Sequence, residues 1–105
     1  MGVAATKRTL VVAKLTGQVV SVTESGDLVT DLKLSEIQSL PRDESVTILC
    51  EGHKTCGIYP VDHQEPEMTF IAFEGEDGFL RLSLVGDDAS RFLGIREASS
   101  VEVKF

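Results

Sequence analysis

The sequence predicts an all-β fold, a small antiparallel β-barrel of about seven strands with two short helical segments. Three observations carry that prediction. Short apolar runs alternate with polar residues at a period of two. Clusters of Gly, Asp, Ser and Pro separate those runs. Only two segments show helical spacing with end signals, and both are short. The 105 residues allow one domain with one core, large enough to fold without metals or disulfides. That domain is expected over residues 9–105, after a small, polar N-terminus (residues 1–8) expected to be disordered.

Thr9 to Leu15 is rich in Leu and Val and reads as a strand. Thr16-Gly17 is expected to turn it into a second strand, Gln18 to Thr23, with Val20 and Val22 on one face and Val19 and Ser21 on the other. Glu24-Ser25-Gly26-Asp27 is a turn in which Gly26 suits a positive φ. Leu28, Thr30 and Leu32 then alternate with Val29 and Asp31 in a third strand. Leu34, Ile37 and Leu40 recur every three residues, which predicts a short helix that Ser35 caps and Pro41 ends. Ser45 to Cys50 is a strand with Val46, Ile48 and Cys50 on one face, and Thr55 to Tyr59 returns from it.

Asp62 to Glu67 is a polar loop containing Pro66. Met68 to Glu74 and Phe79 to Val85 are strands joined by the turn Gly75-Glu76-Asp77-Gly78. In the second of them Leu80, Leu82 and Leu84 share one face, and Arg81 and Ser83 point the other way. Asp87 or Asp88 caps a short helix, Ala89 to Leu93, that stops at Gly94, with Ala89, Phe92 and Leu93 on one side of it. Ser99 to Phe105 is the last strand, in which Val101 and Val103 alternate with Glu102 and Lys104.

Hydrophobic residues make up 42% of the chain and charged residues 26%, as in ordinary globular domains. The formal net charge of −7 repels phosphate backbones and anionic lipid, so neither a nucleic-acid nor a membrane partner is expected. The apolar run Leu10 to Ala13 is interrupted by Lys14 and is too short for a signal-peptide core, and no stretch reaches transmembrane length. Cytoplasmic residence is therefore expected.

Cys50, His53, Cys56 and His63 have zinc-ligand chemistry, but their spacing matches no standard finger, and free thiols with solvent-facing imidazoles are the expectation. The hairpin geometry decides whether the thiols meet. Centred on His53, it opposes Cys50 and Cys56 on one face. Centred between Gly52 and His53, it sends them to opposite faces, and a two-residue turn at Gly52-His53 favours this second arrangement. Asp62 beside His63 could orient that imidazole as a base for a cysteine nucleophile, but no oxyanion site accompanies them. No metal, cofactor or catalytic residue is assigned.

Gly17, Val19, Val22, Gly26, Leu28, Val29 and Thr30 fall at the spacing Gly-x-Val-x-x-Val-x-x-x-Gly-x-Leu-Val-Thr. Ile58-Tyr59, Met68 to Phe73, Glu76-Asp77-Gly78-Phe79-Leu80, Ala89 to Gly94 and Val101-Glu102-Val103 follow in order. This succession resembles the C-terminal β-domain of the S-adenosylmethionine hydroxide adenosyltransferase and fluorinase family, from Gly17 to the end. In that family the ligand lies between the N-terminal domain of one subunit and the C-terminal domain of a neighbour in a trimer. The catalytic Asp and ribose-binding groups come from the N-terminal domain, so the resemblance implies a module that is non-catalytic on its own.

The positions that would face a ligand have changed. An Asn that helps to recognise adenine falls on Asp27, a carboxylate that accepts but cannot donate. The Asn four residues on is Asp31, and the groups that hold a carboxylate in fluorinase-like members fall near Glu76 and Asp77. On this resemblance a remnant site would comprise Asp27, Asp31, Tyr59, Glu76, Asp77, Gly78 and Arg81. Tyr59 would stack on a base or pack at a sheet edge; Arg81 would neutralise Glu76 or Asp77 or bind an anion. The acidic changes favour a protein-interaction or homo-oligomerisation module over an adenosine- or S-adenosylmethionine-binding one. The C-terminal half of a split adenosyltransferase is a third reading.

Overall fold

The computed structural model describes residues 14–38, 40 and 43–105. It contains β1 (Lys14–Val22), β2 (Leu28–Lys33), α1 (Leu34–Ile37), β3 (Thr47–Cys50), β4 (His53–Cys56), β5 (Phe70–Glu74), β6 (Phe79–Leu84), α2 (Ala89–Leu93) and β7 (Ser100–Lys104). The seven strands form one antiparallel sheet in the order β4-β3-β7-β1-β2-β6-β5, which curls into a nearly closed barrel. The edges meet where His53 of β4 sets its ring against Phe70 of β5, centroids 6.2 Å apart. The predicted fold class is the observed one. No helix among the described residues is long and apolar enough to cross a membrane.

Alternation places the core where the sequence expects it. Leu28 and Leu32 of β2, Ile48 and Cys50 of β3, Leu80, Leu82 and Leu84 of β6, and Val101 and Val103 of β7 all point inward. Burying a Leu or Val side chain is worth about 1.5–3 kcal/mol, so these inward faces supply the main drive for closure.

Several local expectations need correction. The N-terminal tail and most of the predicted first strand, Thr9 to Leu15, lie outside the described residues, as does Pro41. Thr16-Gly17 is no turn: β1 runs straight through it, pairing Gly17 with Val101. A side chain there would collide with the Asp31 carboxylate, and its Cβ would come within 2.8 Å of Leu32 Cγ. The glycine therefore serves close approach between strands, not reversal. A β-bulge follows, since Val19 opposes Thr30 while Ser21 opposes Val29. The extra residue breaks the alternation: Val20 and Ser21 are both exposed, while Val19 is buried and Val22, expected to share a face with Val20, packs against the core.

Ser35 does not cap α1. Lys33 occupies the cap position, and its backbone N–H donates to Glu36 Oε1 at 3.2 Å. The returning strand of the second hairpin spans His53 to Cys56, not Thr55 to Tyr59, because the chain turns at Glu51-Gly52, opposing Cys50 to His53. Phe92 lies on the solvent side of α2 rather than with buried Ala89.

A second irregularity lies between β2 and β6, whose register slips between Val29 and Lys33. Thr30 fills the gap with its side chain. Its hydroxyl donates to the Leu80 carbonyl at 2.7 Å and accepts from the Leu32 N–H at 3.2 Å. Thr30 is completely buried, so both backbone groups depend on it for satisfaction away from water.

Candidate functional site

Three segments distant in sequence meet at one end of the β2–β6 pair. The first is the turn between β1 and β2. Its backbone is closed from within: Thr23 N–H donates to the Asp27 carbonyl and Gly26 N–H to the Thr23 carbonyl, both at 2.9 Å. Asp27 N–H donates to Thr23 Oγ1 at 3.0 Å. The Asp27 carboxylate takes no part in any of these bonds.

The second segment runs from the end of β6 into α2. Asp88 Oδ1 accepts from Arg91 N–H at 2.9 Å, which makes it the helix cap that the sequence predicts, and Gly94 closes the helix at φ 72°. The two segments are docked on each other. Ser90 N–H donates to the Gly26 carbonyl at 3.2 Å, and any side chain at Gly26 (φ 92°) would overlap the Asp88 carboxyl.

The third segment is the polar loop after β4, which contributes His63. Its Nδ1 accepts from Glu65 N–H at 3.2 Å, which leaves Nε2 as the protonated nitrogen of the neutral ring. Edge-to-face contacts with Phe73 (5.9 Å) and Tyr59 (6.3 Å) hold the imidazole.

Together these segments enclose an open cleft of about 540 Å³. Glu24, Asp27, Asp87 and Asp88 give it an acidic rim, and Ser83 and His63 also line it. Ser83 is 9% exposed. It stands on the face of β6 opposite Leu82 and Leu84, hence away from the barrel core.

The remaining expected site residues lie elsewhere. Glu76, Asp77, Gly78 and Arg81 surround the β5–β6 turn, which abuts the far end of β2: Lys33 pairs with Phe79, and Leu34 N–H donates to the Gly78 carbonyl at 2.9 Å. From Leu28 to Lys33 a strand rises about 17 Å, so Asp27 and this turn do not share a cavity. Arg81 pairs with Asp77, Nη2 to Oδ2 at 3.2 Å. Partial burial pushes the Asp77 carboxyl up, but the hydrogen bonds from Arg81 and Phe79 and the Arg81 charge together hold it below the usual range. Arg81 Nε is buried with no hydrogen-bond partner.

Asp31 accepts from Gln18 N–H at 3.0 Å, pinning β1 beside Gly17. Tyr59 runs its backbone along β5, with its N–H donating to the Ala72 carbonyl and its carbonyl accepting from Glu74 N–H, both at 2.9 Å. Its ring borders a separate hollow of about 410 Å³ with Cys56 and Asp43, and it reaches the acidic cleft only through His63.

Cys50 and Cys56 are both free, and the register sends them to opposite faces. Burial, with a contribution from the Glu51 charge, pushes the Cys50 thiol up to about 11, whereas Cys56 is exposed. His53 is engaged elsewhere, with Nε2 3.0 Å from the Leu93 carbonyl. Among the described residues no three His, Cys, Asp or Glu side chains are grouped to hold a metal ion.

No protein-family model matches the chain, and no curated protein matches it in sequence. Among solved structures, it is similar to an uncharacterized conserved protein from Thermotoga maritima, with a TM-score of 0.68 and 18% identity over 86% of this chain and 35% of that one. It is also similar to a conserved hypothetical protein from Thermus thermophilus, with a TM-score of 0.65 and 20% identity over 84% of this chain and 34% of the other. These likenesses are of fold. The chain spans about a third of the length of either neighbour.

Proposed function

We infer that this chain is a non-catalytic β-barrel module that works by docking, on a protein partner or on further copies of itself, and that it descends from a domain like the C-terminal domain of the adenosyltransferases. The single observation that carries the reading is the correspondence of the chain with only about a third of two larger proteins. A domain that forms part of larger chains elsewhere has surfaces suited to meeting other domains. The placement of the residues that the resemblance implicates also favours docking. Asp31 holds the β1 backbone and Asp77 holds Arg81, so both have structural work. Cytoplasmic residence agrees with the acidic surface and the two free thiols.

Sedimentation equilibrium of the purified chain tests the reading. A discrete oligomer, or a monomer that forms a defined complex with an adenosyltransferase-type N-terminal domain supplied separately, is the expected result. A monomer at every concentration that ignores such a domain would overturn it.

A second reading, binding of an adenosine-type molecule, rests on Asp27 alone. That carboxylate does border a cleft, and the neighbouring His63 leads to Tyr59. Titration of labelled protein with adenosine and S-adenosylmethionine decides it, since saturable amide shifts at Ser25 to Thr30 are required.

A further inference from the structure

We propose that residues 60–67 form a strap over the outer face of β5 and β6, pinned there by His63, and that a proton taken up on His63 releases it. The first observation is a covered outer face. Along β5, Ala72 belongs to the barrel core, and Ile71 and Phe73 turn away from it. The outer face of a barrel ordinarily meets solvent, yet Ile71 is 1% and Phe73 8% exposed. The segment after β4 supplies the cover. It starts at Tyr59, whose backbone bonds bracket Phe73, and ends at Met68, whose N–H donates to the Val85 carbonyl at 2.7 Å. Ile71 lies between these two anchor points.

The second observation is how little holds the strap between its ends. Within residues 60–67 His63 and Glu65 are half-buried and the rest are exposed. Among the described residues the hydrogen bonds made there are internal to the strap: His63 N–H donates to the Pro60 carbonyl and Glu65 N–H to His63 Nδ1, each at 3.2 Å. Glu67 lies against Gly86 at the far end. In the middle it is the imidazole that reaches the sheet, with its centroid 5.9 Å from that of Phe73. The Glu65 bond fixes the orientation of that ring, and so couples the strap backbone to β5 through His63.

The chemistry of that bond makes it sensitive to a proton. Nδ1 accepts from Glu65 only while it is unprotonated. An imidazolium carries N–H on both nitrogens, so protonation sets two donors against each other and the pinned geometry is lost. The charged ring has other acceptors within its surroundings. Glu24 and Asp27 of the β1–β2 turn and Asp87 and Asp88 before α2 line the cleft that His63 borders, and Asp62, Glu65 and Glu67 flank it on the strap. These carboxylates accept from an imidazolium that swings off Phe73. The Tyr59 phenol ring stands beside the imidazole, and Arg81, opposite Phe73 on β6, is paired with Asp77. His53, the chain's second histidine, is wired the other way. Its Nε2 faces the Leu93 carbonyl at 3.0 Å and donates there, a bond that protonation of the other nitrogen leaves intact.

The test is an NMR titration of the full chain from about pH 8 to about pH 5, the range in which histidine changes charge, observing backbone amides, imidazole nitrogens and the Ile71 and Phe73 side chains. His63 Nδ1 is expected to shift from an acceptor to an N–H nitrogen. On the same curve the Glu65 amide should shift, the Ile71 and Phe73 side-chain resonances should move, and cross-relaxation between the His63 and Phe73 rings should be lost. His63→Asn offers the amide two residues on a side-chain oxygen that does not titrate, so its Glu65 amide should hold one position over the whole range. His53→Gln should leave the response unchanged. Cross-relaxation between the rings that survives the titration of His63, a Glu65 shift that does not follow His63, the parent response in His63→Asn, or its loss in a folded His53→Gln would overturn the proposal. The parent titration decides by itself where a variant does not fold. The device does not rest on the docking reading, because oligomeric state is read by sedimentation and strap release by these resonances.

Discussion

Replacing Thr30 with Val tests the account of how β2 joins β6. The two side chains have nearly the same shape, so the change removes a hydroxyl without leaving a cavity. Two backbone groups lose their partner: the Leu80 carbonyl, which accepts from Thr30 Oγ1 at 2.7 Å, and the Leu32 N–H, which donates to it at 3.2 Å. Leu80 is 0% and Leu32 4% exposed, so water does not replace the lost bonds. A buried polar group left without a partner costs about 1–3 kcal/mol. The N–H bond is the longer and weaker of the pair, which places the expected loss at about 2–4 kcal/mol. With a urea dependence of about 1–2 kcal/mol per molar for a small domain, the unfolding midpoint should fall by about 1–4 M. Thr30→Ser keeps the hydroxyl and drops one methyl, for about 1 kcal/mol. If Thr30→Val stays within about 0.5 kcal/mol of the parent, or Thr30→Ser loses more than Thr30→Val, then methyl packing governs this position and the ladder repair does not.

Gly17→Ala should destabilise by about 1–3 kcal/mol through overpacking against Asp31 and Leu32, and adding Asp31→Ala should recover part of that loss in a double-mutant cycle; simple additivity would show that the two do not touch. Asp88→Ala removes the α2 cap and should lower stability by about 1 kcal/mol, measured by the same urea titration, with no change meaning that the cap bond contributes nothing. The raised Cys50 pKa makes a signed prediction. The folded thiol stays protonated up to about 11 while the unfolded one ionises from 9.0, so stability is complete below the lower value and declines as pH rises towards the higher. A Cys50→Ala variant should lack that decline, and an identical fall in both proteins would contradict the assignment. In the native state a thiol reagent should label exposed Cys56 and leave buried Cys50 until unfolding.

The barrel was legible in the sequence because most strands alternate and most turns carry their own chemistry. Leu80, Leu82 and Leu84 announce their face without help from any other strand, and Gly26, Gly78 and Gly94 do adopt the positive φ that turns and helix ends require. What escaped prediction depends on partners remote in the chain. A glycine in an apolar run signals either a reversal or a close approach. Only the position of Asp31 and Leu32 on the adjacent strand decides for the second at Gly17. The bulge at Val20 shifts the alternation by one residue, which period-two reasoning cannot anticipate. Asp27 was singled out only by the family resemblance; the residues of its turn by themselves read as a solvated reversal. Ser83 was placed on the outer face of β6, but that this face meets His63 and the β1–β2 turn depends on the path of a loop with no periodicity.

The two ends of the β2–β6 pair illustrate why acidic residues at two hairpin tips need not share a fate. At the β5–β6 turn the charge is internally balanced. Asp77 and Arg81 lie four residues apart across a tight reversal and bond to each other at 3.2 Å, and Asp77 also accepts from Phe79 N–H at 3.3 Å. A ligand arriving there must displace a pair already satisfied by short-range geometry. At the β1–β2 turn no cation lies within the segment, because the turn satisfies its backbone through Thr23 and docks on α2 through Gly26, leaving the Asp27 carboxylate to face the cleft. The same chemistry, an acidic side chain at the tip of a hairpin, therefore produces a closed ion pair in one place and an open carboxylate in the other. The difference lies in whether the following strand carries a cation on the same face, as Arg81 is for Asp77, or none, as in the run from Leu28 to Thr30.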